Sequence, residues 1–239
     1  MKRLLILSVI TAAIAAPVGA QTASEAAAYT AITLTPVGGL APMLTNTLID
    51  RAQNGASLAL RYGHLPSGDA NVKNEAGAVT AILPVGLGGT FSLTGGVNVP
   101  DCTGCNAGLM LGVGGDYRLL GSAMGNMASS PLWTISLDGE LGYAKRSDAT
   151  LTSLYIGLPI ALVQRGQGMQ FVPFITPALA YGKFSADGVD ISPASAMMLG
   201  GGLGIYNTDS NVIINVGAQH SFMNGARNTI GINLVLGGK

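Results

Sequence analysis

From about residue 55 onward, this chain alternates with period two. In "TLTSLYIGLPIAL" (150–162), Leu154, Ile156, Leu158, Ile160 and Leu162 share one face, and Ser153, Tyr155, Gly157 and Ala161 share the other. "NTIGINLVL" (228–236) sets Ile230, Ile232, Leu234 and Leu236 against Thr229, Gly231 and Asn233. "PLWTISLDGELGY" (131–143) sets Trp133, Ile135, Leu137, Leu141 and Tyr143 against Thr134, Ser136, Asp138, Glu140 and Gly142. Segments 89–98 and 210–219 behave alike. Neighbouring side chains of a strand point to opposite faces, so this spacing predicts strands and fits no helical period. Gly, Pro, Asn, Asp and Ser clusters separate the segments, as turns require. About ten strands are expected, with eight to twelve as bounds: residues 56–63, 75–85, 89–98, 107–118, 131–143, 150–162, 169–182, 194–206, 210–220 and 228–237.

The two faces narrow the architecture. A soluble sandwich packs its apolar face inward and turns Lys and Glu to water. Here the second face holds Gly, Ala, Ser, Thr and Asn with a few isolated charges, Arg61, Asp116, Arg118, Asp138 and Glu140. Small residues and compensating charges suit the crowded lumen of a narrow barrel, and an all-aliphatic face suits lipid. Only 10% of residues are charged, 35 are glycine, and mean hydropathy is +0.44, yet no apolar run beyond the N-terminus is long enough for a helical span. The expected fold is therefore an all-β, antiparallel up-and-down transmembrane barrel. A soluble exported barrel that turns the aliphatic face inward around a small apolar ligand is the competing reading. Lys+Arg and Asp+Glu balance at 12 each, which argues against a nucleic-acid partner.

The N-terminus supplies the address. Lys2 and Arg3 precede the apolar stretch Leu4 to Ala16, and Val18-Gly19-Ala20 forms a small-residue cleavage site before Gln21. That is the layout of a secretory signal peptide over residues 1–20. Residues 55–239 form the barrel domain. Between them, residues 21–54 are a lead-in without clear periodicity: "YTAITLTPVGG" could be a further strand and "APMLTNTLIDRAQ" a short helical turn, covering the lumen entrance or leading in from the periplasm. An even strand number brings both barrel ends to one side. The connections on the opposite side, near residues 64–74, 99–106, 144–149, 183–193 and 221–227, carry most loop charges and both histidines.

On these features the chain resembles the bacterial outer-membrane β-barrel family. The likeness spans the signal peptide and residues 55–239, and its sharpest element is the last strand. Thr229, Gly231, Leu234 and Leu236 fill the family's polar-x-Gly-x-x-apolar-x-apolar assembly signal, with leucines in place of aromatics and a Gly-Gly-Lys tail. The resemblance implies outer-membrane localisation, surrounding lipid, and recognition by the barrel-assembly machinery.

Candidate chemistry is sparse. Cys102 and Cys105 in "PDCTGCN" lack a second pair or a nearby His for zinc, and Asn106 stands where haem attachment needs His. A disulfide formed on export, stapling a hairpin tip, is the expected state. Asp138 and Glu140 share a strand face at ~7 Å, but inside a barrel they are expected to pair with Arg61 or Arg118 rather than to catalyse. "QHSFMN" (219–224) superficially resembles the penultimate strand of outer-membrane lipid A deacylases, but His220 and Ser221 are adjacent and so face opposite ways. Pro84, Pro159, Pro173 and Pro177 fall inside expected strands, where each removes a ladder donor. The sequence thus implies a non-enzymatic outer-membrane barrel without cofactor or metal, in a structural or surface-interaction role. A lipid-modifying outer-membrane enzyme ranks behind the soluble ligand-binding reading.

Overall fold

The computed structural model describes residues 23–44, 47–48, 55–66, 73–86, 88–101, 106–121, 132–146, 149–186, 189–223 and 226–237. The expected signal peptide and the expected Cys102–Cys105 disulfide lie outside the described residues. Twelve strand segments form one antiparallel sheet. They are β1 (Ser57–Leu65), β2 (Lys73–Val85), β3 (Gly89–Asp101), β4 (Gly108–Leu120), β5 (Leu132–Arg146) and β6 (Ala149–Gly157). The remainder are β7 (Ile160–Arg165), β8 (Met169–Ala186), β9 (Val189–Asp190), β10 (Ala194–Asn207), β11 (Val212–Ser221) and β12 (Thr229–Gly237).

Apart from the short β7 and β9, each strand pairs with the next along the chain, and β12 returns to β1 with Ser57 opposite Gly237 and His64 opposite Ile230. The sheet therefore closes on itself. β6 and β7 are one strand interrupted at Leu158-Pro159, since both lie between β5 and β8. β9 only extends the hairpin after β8. The barrel thus has ten staves, as the alternation predicts.

Pro84, Pro159 and Pro177 sit where the ladder tolerates them, whereas Pro173 lies inside β8 opposite Leu203. Pro159 occupies the interruption, where its carbonyl accepts from Ser136 N at 3.0 Å and the Pro177 carbonyl accepts from Leu158 N at 2.9 Å. Pro177 thus lies across from the break and loses little by lacking a donor. Pro84 is one residue from the end of β2. At one barrel end three of the four connections are tight, the β4–β5 connection over residues 121–131 being longer, and in the β2–β3 turn Gly86 (φ 62°) and Gly88 (φ 91°) take the left-handed conformation that favours glycine. This is the turn end, where β1 begins. The opposite, loop end holds residues 66–72, 102–107, 147–148, the β8–β10 hairpin and 222–228.

Alternation places the two faces as the sequence reading expects. Leu58, Leu60, Leu93, Leu141, Ile175, Leu203, Val216 and Ile232 point outward and are 44–59% exposed. Their neighbours Ala59, Thr80, Thr94, Thr134, Ser136, Ser153, Asn215 and Asn233 point inward and are buried. The sole tryptophan, Trp133, is on the outer face. The barrel interior thus holds small and polar side chains together with apolar ones, Ile82, Val163, Val172, Phe174, Ile213 and Val235 packing against Leu44 and Leu48, and its exterior is an aliphatic belt.

The N-terminal segment departs from expectation. Helix α1 (Ala23–Thr33) and the single helical turn α2 (Pro36–Gly39) occupy the stretch whose sequence could suit a strand, and residues 41–44 run on without regular structure. α1 buries Ala27, Ala28, Ala31 and Ile32, while its first turn reaches out of the lumen at Ala26. Thr30 and Thr33 satisfy their hydroxyls on the carbonyls of Ala26 and Tyr29, one turn back, at 2.9 and 2.8 Å. Ala28, Ala31, Ile32, Leu40, Ala41, Leu44 and Leu48 are at most 1% exposed. Residues 27–44 and 47–48 thus lie within the lumen, with the start of α1 at its mouth.

Candidate functional site

The lumen is the one place where polar side chains from many strands converge, and they converge on a peptide. At the loop end, Asn74 of β2 donates to the Thr33 carbonyl at 3.5 Å, and Asn98 of β3 donates to the Leu34 carbonyl. Deeper, Gln219 of β11 donates to the Val37 and Leu40 carbonyls at 3.2 and 2.9 Å, and Thr229 of β12 to Gly38 at 2.8 Å. Asn215 holds the chain from both sides, accepting from Leu44 N at 3.2 Å and donating to the Pro42 carbonyl at 3.0 Å. Asn233 and Arg61 reach the Ala41 carbonyl at 3.5 and 3.3 Å. At the turn end, Arg118 Nε donates to the Thr47 carbonyl at 2.6 Å and Thr134 to the Leu48 carbonyl at 2.8 Å.

Nearly all of these bonds end on main-chain carbonyls. A chain without regular structure buried in a barrel carries unpaired backbone groups, and each would cost ~1–3 kcal/mol if left so. The inward amides of the wall supply the missing partners. Gln219→Leu, which keeps most of the side-chain volume, leaves the Val37 and Leu40 carbonyls without that donor. It is expected to lower stability by about 1–3 kcal/mol, measured as a shift in the urea midpoint of the detergent-solubilised protein.

Glycines mark the path of the plug along the wall. A Cβ on Gly63 of β1 would stand 2.1 Å from the Gly39 carbonyl oxygen, and one on Gly231 of β12 would touch Ala41 Cβ at 3.0 Å. One on Gly182 of β8 would lie 2.4 Å from the Ala28 carbonyl oxygen. These inward glycines form a groove only as deep as the second chain needs.

All five charged residues singled out in the sequence point into this lumen, but they do not all meet. Arg61 Nη1 stands 3.9 Å from Glu140 Oε1, with the two side chains 7% and 16% exposed. Asp116 and Asp138 lie directly opposite one another across β4 and β5. Asp116 accepts from Thr90 of the wall and from Thr47 of the plug. Arg118 bonds the plug backbone. The expected Arg61–Glu140 pairing is present, whereas the Arg118 guanidinium serves the peptide. A cavity of about 50 Å³ remains among Arg61, Asp116, Asp138, Glu140, Tyr155 and Gln219. That is room for a few waters, whereas a small-molecule site spans roughly 300–1,000 Å³. The aliphatic face points outward and does not line this cavity.

Of the other candidates, Ser221 is inward and 3% exposed, while His220 on the outer side meets Asn228 Oδ1 through Nδ1 at 2.9 Å and packs edge-on against Phe222. The two are not brought together. On β12, Thr229 and Gly231 face the plug and Leu234 and Leu236 share the outward face. An outward polar cluster that the sequence reading passed over lies near the loop end. There His64 Nδ1 meets Glu75 Oε1 at 2.6 Å, and Tyr62 donates to Oε2 of the same carboxylate. The cross-strand register of β1 and β2 sets His64 opposite Glu75.

No protein-family model matches the chain, and no curated protein is similar to it in sequence. Solved structures similar to it include the outer membrane enzyme PagL, at 15% identity over 54% of this chain and 90% of that one, with a TM-score of 0.36. A bacterial polysaccharide outer membrane secretin is 7% identical over 79% of this chain and 67% of its own, with a TM-score of 0.43. Ail, the attachment invasion locus protein of Yersinia pestis, is 12% identical over 77% of this chain and 97% of its own, with a TM-score of 0.35.

Proposed function

We propose that this chain is a non-enzymatic barrel of the bacterial outer membrane, sealed by its own N-terminal segment, that serves a structural or surface-interaction role through its loop end. The observation that carries this reading is the aliphatic belt on a closed barrel. Water tolerates scattered apolar side chains but not a contiguous apolar surface around a whole barrel, and in lipid the same surface is what a spanning strand needs. Closure leaves no edge with unpaired backbone groups, the other condition for crossing hydrocarbon. Lipid is the partner of the belt, and the assembly machinery is the partner of the last strand, through Thr229, Gly231, Leu234 and Leu236. A filled lumen supports a role at the barrel ends rather than passage of solutes.

Cell fractionation with boiled and unboiled gel mobility tests the reading. An outer-membrane protein with a heat-dependent shift supports it, and a soluble periplasmic protein without one sinks it. A substitution separates the two cases energetically. Leu141 is outward near the middle of β5 and 55% exposed. Leu141→Arg at mid-membrane is expected to cost about 2–4 kcal/mol, falling towards zero for the same change near either end of a strand. On a water-facing surface it would move stability by less than ~0.5 kcal/mol.

A further inference from the structure

We infer that the plug enters the barrel from the loop end, so that Ala23, its first described residue, lies on the cell-surface side, beside the loops. This rests on the outer-membrane reading above, with the tight turns on the periplasmic side. For residues 21–54 the sequence leaves open a lead-in from the periplasm or a cover of the lumen entrance. The direction of the plug decides at which end it enters.

Contacts at three depths fix that direction. Leu34 is held by Asn98, three residues before the loop end of β3. Pro42 is held by Asn215, within β11. Leu48 is held by Thr134, two residues past the turn end of β5. The segment therefore descends from the loop end to the turn end as residue number rises, and β1 then climbs back through the wall. α1 stands in the loop-end mouth, with the Ala28 carbonyl against Gly182 and the Tyr29 hydroxyl accepting from Arg227 N at 2.9 Å, in the loop between β11 and β12. Ala26, one turn further out, is exposed.

The wall grips this segment by its main chain, so the register of the plug, rather than any tether outside the barrel, holds the start of α1 at the surface. The loops and the start of α1 thus form one composite exposed face, and a partner that meets the loops meets that start as well.

The test is a short epitope inserted between Thr22 and Ala23 of the full chain, detected by antibody on intact cells. Parallel chains carry the epitope within residues 67–72 at the loop end or within residues 208–210 at the turn end. Each insertion is checked for folding by its heat-dependent gel shift. The expected result is that the N-terminal and loop tags bind antibody on intact cells and the turn tag binds only after permeabilisation. If the loop tag binds but the N-terminal tag needs permeabilisation, the inference is overturned and the outer-membrane reading stands. If the loop tag itself is inaccessible, the orientation is wrong and both fall. Should the inserted epitope prevent folding, Ala26→Cys with Cys102→Ser and Cys105→Ser repeats the test by labelling intact cells with a membrane-impermeant maleimide. Labelling equal to that of a lysed sample supports the inference, and labelling only after lysis overturns it.

Discussion

Gly63→Leu is expected to turn a sealed barrel into one that conducts ions. A side chain at this position would begin 2.1 Å from the Gly39 carbonyl oxygen and 2.8 Å from Leu40 Cα. Both neighbours are backbone, so no rotamer change relieves the clash. The penalty exceeds the ~1–3 kcal/mol of ordinary overpacking. Of the two bodies in conflict, the wall is braced by continuous ladders on both sides, whereas the plug is held by separate side-chain bonds and apolar packing, so the plug yields. Single-channel recording in planar bilayers is expected to find the wild type closed and the variant open, with residues 23–48 newly cut by protease. Gly182→Leu, against the Ala28 carbonyl, repeats the test nearer the loop end. A Cβ on outward-facing Gly77 would meet no atom within 4 Å, so Gly77→Leu supplies the control that stays closed. A Gly63→Leu barrel that folds and remains closed would show that the wall, not the plug, seals the lumen.

The second large effect belongs to Arg61. Its guanidinium is the cation nearest Glu140, in a lumen where Asp116 and Asp138 also face one another. Removing one partner of a buried ion pair leaves the other uncompensated at a cost of about 3–5 kcal/mol. Arg61→Met is expected to lose that much and to leave Asn233 as the remaining side-chain donor to the Ala41 carbonyl, read from the urea midpoint of Trp133 fluorescence. Replacing both partners, as in Arg61→Met with Glu140→Gln, is expected to recover most of the loss, because the pair contributes little beyond its own desolvation. A single variant that shifts stability by under ~1 kcal/mol would mean that water in the cavity screens the pair.

Most of the wall is legible in the sequence because its information is local. Period two, aliphatic on one side and small or polar on the other, yields ten strands and their facing, and even the interruption at Leu158-Pro159 keeps the parity on either side. The same rule places the inward charges. The plug is not legible, for a physical reason: its partners recognise backbone carbonyls, which every residue carries, so "YTAITLTPVGGLAP" needs no periodicity and shows none. Local propensity misleads in turn, since Thr30, Ile32 and Thr33 favour strands in isolation but sit in a helix walled in by β6, β8 and β10. The usable signal lies in the wall. Inward Gly63, Gly182 and Gly231, with inward Asn98, Asn215 and Asn233, leave both space and spare donors, and a barrel that filled itself with side chains would have neither.

The register at the barrel's closing join has a mechanical meaning. The join between β1 and β12 links the first and last staves of the ring, and it pairs Arg61 with Asn233 and Gly63 with Gly231. Arg61 and Asn233 both grip Ala41, and Gly63 and Gly231 both abut residues 39–41. The plug therefore acts as a latch across the seam. To unzip sideways, the barrel must let go of the latch at the same moment as the ladder, which raises the barrier to opening and makes resistance to dissociation a property of rate as much as of equilibrium.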